Sequence, residues 1–190
     1  MDFIDRQTGT AGRHATVTGK PETLVEKIVD ELTGKFLNIG LARRSDAVDI
    51  SRLSREHIEF GLPQRYTPRR ILKSIETDNK NVIVARLHNS FAGFGIMTYY
   101  DETANLDLLA VKRRYQRNGI GTDILRWLEK VALTAGIYDI NVQVRKINRG
   151  AIRFYEAVGF EIYAEKAGYY LGKETGVLMS KNLIKTKNPT

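Results

Sequence analysis

The stretch "VKRRYQRNGIGTDILRWLEK", Val111 to Lys130, decides how this chain is read. It closes an apolar run, crosses a basic loop with glycines at 119 and 121, and then turns to helical spacing. Ile120, Ile124, Leu128, Val131 and Ala135 share one stripe, and Gly136 offers the stop. The start of a helix leaves several backbone N–H groups unpaired and carries roughly half a positive charge, so it attracts phosphate. Gly119 and Gly121 let the backbone pass close to such a group, and Lys112, Arg113, Arg114 and Arg117 add donors on the approach.

Three phosphate loops compete for this pattern. A nucleotide P-loop needs lysine and then Ser or Thr after its last glycine, but Thr122 and Asp123 follow Gly121. A dinucleotide fingerprint needs a third glycine where Ile124 stands, and Asp139 opens a strand where the ribose-binding acid should close one. The third pattern is Gln/Arg-x-x-Gly-x-Gly/Ala after a strand and a loop of several residues. It is present as "QRNGIG", Gln116 to Gly121, and grips a pyrophosphate by backbone groups.

Outward from the loop, "NVIVARL", "SFAGFGIMTYY" and "ANLDLLAV" read as three successive strands joined by turns at 88–90 and 101–102. Upstream, a strand is expected at 37–42, a helix capped by Ser45, and a second helix starting after Pro68. Downstream, "YDINVQV" alternates as a strand, "NRGAIRFYEAV" is a helix stopped by Gly159, and "FEIYAEK" and "GVLMSKNL" are strands. In "PETLVEKIVDELTG" the residues Leu24, Val25, Ile28, Val29 and Leu32 form a helical stripe. It either packs on the domain or makes a homodimer contact. The order is α/β with a mixed sheet, and three regions are expected: an extension over 1–36, a domain over 37–185 and a tail over 186–190.

Composition narrows the chemistry. The chain has 190 residues, enough for a substantial core, and a formal net charge of +8, which favours anionic partners. It has no cysteine, which removes disulfides, thiolate ligands and an acyl-cysteine intermediate, so group transfer would go straight to the acceptor. His14, His57 and His88 are far apart without ligand spacing, and no metal site is expected. No apolar run approaches the roughly 20 residues that span a bilayer. The opening "MDFIDRQTGTAGRHATVTGK" lacks the charged-then-apolar order of a leader, so a cytoplasmic, non-membrane protein is expected. Nucleic-acid binding is disfavoured, because the arginines cluster around a cofactor-type loop and no recognition motif is present.

With "NRGAIRFYEAVGF" at the right distance behind "QRNGIG", the chain resembles the GNAT superfamily of acyl-coenzyme A-dependent N-acetyltransferases, over about Leu37 to Leu183. The resemblance implies a twisted mixed sheet of about seven strands, splayed between the fourth and fifth, flanked by about four helices, with an N-terminal helical extension. It implies acetyl-coenzyme A as cofactor. The strand "LLAV" (Leu109, Ala110, Val111) would offer the backbone of Leu109 and Val111 to the pantetheine arm. Gln116, Arg117, Asn118, Gly119, Ile120, Gly121 and Thr122 would form the pyrophosphate loop, Asn148 would contact the cofactor, and Tyr155 would lie near the sulfur as proton donor. From spacing alone Tyr155 is equally a core tyrosine and Asn148 a helix cap. The basic set Arg145, Lys146, Arg149 and Arg153 is either a solvated face or a contact for the adenosine phosphate.

"GYYLGKETGVLM" is similar to the ribosomal-protein alanine N-acetyltransferases, which modify N-terminal α-amines, although Thr175 and Gly176 depart from that pattern. That group carries a basic glutamate in the fifth strand where this chain reads "QVR", and the amide of Gln143 cannot take a proton. Asp107, Glu102 and Glu174 are the remaining candidate bases through water, and Tyr169 and Tyr170 are either an acceptor rim or a hairpin pair. A site without a strong base favours weakly basic acceptors. At pH 7 neutralising an α-amine costs roughly 1 kcal/mol, against about 4.6 kcal/mol for lysine. The reading is transfer of acetyl to a primary amine, a protein N-terminus or a small molecule. The alternative is an acyl-coenzyme A-binding module that has lost efficient catalysis.

Overall fold

The structure, a computed structural model, describes residues 26–30 and 35–185. Among the described residues eight strands form one sheet: β1 (Glu26–Asp30), β2 (Lys35–Leu41), β3 (Lys80–Leu87), β4 (Ser90–Tyr99), β5 (Thr103–Val111), β6 (Asp139–Arg145), β7 (Glu161–Tyr170) and β8 (Glu174–Asn182). Their order across the sheet is β1-β2-β3-β4-β5-β6-β8-β7. Four helices flank it: α1 (Ala47–His57), α2 (Pro68–Glu76), α3 (Ile120–Thr134) and α4 (Arg149–Ala157). The mixed α/β architecture expected from the sequence is therefore present, and the strands expected as fourth and fifth are β5 and β6.

Two local expectations change. Inside the segment 21–34, where the periodicity suggests a helix, the described residues Glu26–Asp30 form a strand antiparallel to β2. The pairing of these residues with the edge of β2 outweighs the helical spacing of the apolar residues. Residues 21–25 and 31–34 lie outside the described residues. Further on, Ser45 sits inside a 3-10 turn over Arg44–Asp46, and the residue that satisfies this corner is Asp46. Its carboxylate accepts from the Arg43 N–H (2.7 Å) and from the Arg86 guanidinium (2.6 Å), which pins the turn to β3. α2 starts as expected, with Pro68 in its first turn and the Thr67 hydroxyl accepting from the Arg70 N–H.

The sheet has a core on each face. Ala47, Ile50 and Leu53 of α1 and Ile71 of α2 pack on Val82, Val84, Phe94 and Ile96. On the other face Ile120, Ile124, Trp127 and Leu128 of α3, with Tyr155 of α4, pack on Ile83, Met97, Val142 and Val144. Gly95 is required where α3 crosses β4, because a Cβ there would lie 2.8 Å from Ile124 Cγ2 and 2.9 Å from Leu128 Cδ1. Trp127 is buried in this layer, as its packing role requires.

Two irregularities in β5 create the cleft. Leu106 pairs with Met97 and Leu108 with Ile96, so Asp107 is the extra residue of a bulge. The bulge switches the strand's faces. Ala104 and Leu106 belong to the α3 core, whereas Leu108 and Ala110 belong to the α1–α2 core. Next to it, the parallel pairing of β5 with β6 runs only from Thr103–Asp139 to Leu106–Val142. Beyond that point the two strands part, and among the described residues Asp107 to Val111 have no strand on that side.

Candidate functional site

The gap between β5 and β6 opens into a cleft of about 350 Å³, walled by the α1–α2 loop, β5, β6, the start of α4 and the β7–β8 turn. Leu109, Gln143, Asn148 and Tyr155 line it together with Tyr169 and Tyr170. Backbone groups of an antiparallel strand address its two neighbours alternately. Lys112 donates its N–H to the Ala92 carbonyl on the β4 side (2.8 Å), so Leu109 and Val111 turn theirs towards the gap. Gln116 Nε2 already donates to the Val111 carbonyl at 2.9 Å, which braces the loop against the strand.

The loop folds as its glycines demand. After a 3-10 turn over Arg113–Tyr115, Arg117 and Gly119 both take positive φ, 64° and 78°. Gly119 is the N-cap of α3 and has no side chain to cap it, the kind of helix start that attracts an anion. Ile120 is buried in the core, and its N–H is what it can offer. Asn118 Nδ2 folds back on the Gln116 carbonyl at 3.2 Å. Lys112 lies over the Phe91 ring and Arg114 over Tyr115, both at the edge of the loop. Gly121 brings α3 against Phe154 of α4, and Thr122 follows it in the first turn.

Tyr155 packs in the core, as the spacing of its helix suggests, and also lines the cleft. It is 6% exposed, with its ring edge-on to Phe154 (5.1 Å) and Phe160 (5.3 Å). Burial, and after it the neighbouring Tyr170, push its phenol well above the ordinary tyrosine value, so it remains a proton donor at neutral pH. Asn148 caps α4, its Oδ1 accepting from the Ala151 N–H at 3.1 Å, and faces the cleft as well. Tyr169 and Tyr170 stack edge-on at 5.0 Å and form the rim. A Cβ at Gly176 would lie 2.8 Å from the Tyr169 ring, so that glycine makes room for the pair.

The candidate bases are all engaged or remote. Glu102 is exposed in the β4–β5 turn and does not line the cleft. Glu174 is held by Arg145 through two bonds, 2.7 and 2.6 Å, and the guanidinium keeps its carboxyl below the usual range. Asp107 lines the cleft, but its Oδ2 accepts from Lys80 (2.7 Å) and Thr98 (2.6 Å), and its Oδ1 from Asn105 (2.8 Å). Arg145, which the sequence leaves as either a solvated side chain or an adenosine-phosphate contact, instead faces the α1–α2 loop. Besides Glu174 it donates to the Phe60 carbonyl at 2.6 Å, because it shares the face of β6 that Gln143 occupies. Lys146 pairs with Glu165, while Arg149 lines a separate open depression with Lys173.

Sequence reasoning missed the opposite wall. Glu59, buried at the end of α1, accepts from Ser54 Oγ and from the N–H groups of Arg65 (2.6 Å) and Tyr66, and so shapes the α1–α2 loop. Burial and then Asp107 push the Tyr66 phenol up to about 12. "EFGLPQRY" carries no periodicity, and its one legible mark was the carboxylate at a helix end. Asn105, which accepts from Gln143 Nε2 at 2.8 Å, was missed too.

Known proteins resemble this chain in sequence and in fold. Over 96 residues the chain is 30% identical to the [ribosomal protein bS18]-alanine N-acetyltransferase of Escherichia coli strain K12, covering 49% of this chain and 65% of that protein. The fold is similar to that of Ard1 from Thermoplasma volcanium, with TM-score 0.68, 24% identity, and 77% of this chain and 97% of that one covered. It is also similar to the PaiA N-acetyltransferase of Thermoplasma acidophilum in complex with coenzyme A, with TM-score 0.66, 20% identity, and 77% and 98% covered. Residues 48–160, more than half of the chain, match the acetyltransferase (GNAT) family model, and the chain belongs to that family.

Proposed function

We propose that this protein transfers acetyl from acetyl-coenzyme A to a primary amine, with a protein N-terminal α-amine as the favoured acceptor. One observation carries the reading: where β5 and β6 part, the edge of β5 has no neighbour among the described strands beside a cleft that Leu109, Asn148 and Tyr155 line, and the loop after β5 leads into the start of α3. That layout fits a long cofactor with a diphosphate at one end and a thioester at the other. The coenzyme A in the Thermoplasma acidophilum neighbour and the activity in the name of the Escherichia coli relative support it.

Acetyl-coenzyme A supplies the acetyl group as a thioester, which is susceptible to a neutral amine. Leu109, Ala110 and Val111 form the strand edge that aligns the pantetheine arm, and the turned-out N–H groups polarise the carbonyl. Gln116 to Thr122 hold the diphosphate, and Asn148 fixes the arm at the start of α4. The amine nitrogen bonds to the carbonyl carbon, the carbon–sulfur bond breaks, and Tyr155 gives its proton to the departing thiolate. The nitrogen sheds its extra proton to water in the cleft. Among the described residues the candidate carboxylates Asp107 and Glu174 are already paired, and this favours the α-amine, whose neutral form is accessible at about pH 7.7 to 8.0.

The first test is thermal unfolding with acetyl-coenzyme A and, in parallel, NAD. At about 100 times its dissociation constant a ligand adds roughly 2.7 kcal/mol, a rise of about 5 to 10 °C for this size. A rise with acetyl-coenzyme A alone supports the reading, and no rise at saturation overturns it. Thiol release with N-terminal peptides, lysine peptides and small amines then reports the acceptor. Transfer confined to lysine side chains would refute the preference for α-amines.

A further inference from the structure

We infer that Gln143 holds the incoming amine through its carbonyl oxygen, and that Asp107 dictates this orientation through Asn105; the inference rests on the acetyl-transfer reading. The argument follows donors and acceptors one after another. The Lys80 ammonium can only donate. It gives hydrogen bonds to Thr98 Oγ1 (2.5 Å) and Asp107 Oδ2 (2.7 Å), which leaves the Thr98 proton for Asp107 Oδ2 (2.6 Å). The Asp107 carboxylate can only accept, so the neighbour at its Oδ1 must be the Asn105 amino group, 2.8 Å away. Asn105 therefore turns its Oδ1 the other way, where Gln143 Nε2 donates to it at 2.8 Å. Two amides that could each point either way are aligned by one charge.

The end of this chain is Gln143 Oε1. No hydrogen bond among the described residues engages it, and Gln143 lines the cleft with Tyr155 and Tyr170. An oxygen there suits a neutral amine: it takes one N–H and leaves the lone pair free to attack. The reverse orientation would present an N–H to the lone pair and tie up the nucleophile. As the carbon–nitrogen bond forms, the amine N–H grows more acidic and its bond to Oε1 strengthens, so the interaction favours the transition state. The amide does not keep the proton, which leaves to water. Gln143 is thus the group that touches the acceptor, while Asn105, Asp107 and Lys80 position it.

Asp107→Asn tests the chain of orientations. The new side chain must keep its oxygen on Lys80 and Thr98, which turns its amino group to Asn105, reverses Asn105, and brings Gln143 Nε2 into the cleft. kcat/KM for an N-terminal peptide should fall by about tenfold to a hundredfold, with the KM for acetyl-coenzyme A within about twofold. In a Gln143→Glu background the same change should be neutral or favourable, because a carboxylate at 143 needs the Asn105 amino group that Asp107 otherwise holds. An equal loss in both backgrounds would assign Asp107 a merely structural role and overturn the proposal, as would no loss in the native background. Side-chain amide NMR reads the orientations without activity. The Asn105 and Gln143 amide signals should move together in Asp107→Asn, and an unmoved Gln143 signal would refute the alignment. A native protein that acetylates no amine would overturn the proposed function, and the amide signals would still decide whether Asp107 orients Gln143.

Discussion

Replacing Tyr155 with phenylalanine removes one oxygen and leaves the ring. The edge-on contacts to Phe154 (5.1 Å) and Phe160 (5.3 Å) are made by the ring and persist. Among the described residues no hydrogen bond engages the hydroxyl, so the substitution strands no buried partner, and the unfolding midpoint should stay within about 2 °C. Activity should behave differently. A positioned general acid contributes about 10² to 10⁴ in rate, so kcat should fall by that factor, about 2.7 to 5.4 kcal/mol, while the KM for acetyl-coenzyme A is unchanged. Burial holds the phenol protonated beyond its ordinary range. The native rate should therefore rise as the α-amine deprotonates through about pH 8 and show no alkaline fall from Tyr155 below about pH 10. Initial rates of thiol release with an N-terminal peptide, measured across pH for both proteins, provide the assay. A variant with kcat within about twofold of native would refute the role of the hydroxyl as acid.

Arg145→Met should release Glu174 and the Phe60 carbonyl together and lower the midpoint of denaturant unfolding. It should also raise the KM for the acceptor rather than for acetyl-coenzyme A, since the freed α1–α2 loop walls the acceptor side. Gly95→Ala should cost about 1 to 3 kcal/mol, because its methyl meets Ile124 and Leu128 on α3, and a stability equal to native would contradict that packing. Tyr66 is pushed up to about 12, and Tyr99, Tyr155 and Tyr170 are also raised, each by burial first. Above pH 10 the unfolded chain loses phenolic protons that the folded one keeps. Stability should therefore hold up to about pH 10 and then fall, by about 1.4 kcal/mol per pH unit from Tyr66 alone up to about pH 12. A stability that rises over that interval would contradict the burial of these rings.

Val111 to Gly121 was legible as a strand end, a loop and a helix start because those signals are local. The positive φ at Gly119, the apolar stripe of α3 and the Asn148 cap each depend on residues within a few positions. The two motifs around "QRNGIG" and Tyr155 could likewise be read together, and the fold packs the helices that carry them against each other, Gly121 of α3 beside Phe154 of α4. Arg145 was misread because its partners, Glu174 and the Phe60 carbonyl, are far away in sequence and meet it only when β8 and the α1–α2 loop close around β6. Residues 26–30 were misread because a free sheet edge outweighed a helical spacing.

The sequence by itself determined the α/β order, the loop that fits a diphosphate, the family likeness and the absence of a glutamate at 143. Each of these rests on short-range backbone preferences or on the chemistry of single side chains. Only the tertiary structure decided that β5 bulges at Asp107 and parts from β6 just beyond it, and that Asp107 in the cleft and Glu174 on Arg145 are already paired. It also decided that Lys80, Thr98, Asp107, Asn105 and Gln143 join into one chain of hydrogen bonds. Strand register and side-chain pairing depend on which distant segments meet, and no pattern along the chain encodes that meeting at one position.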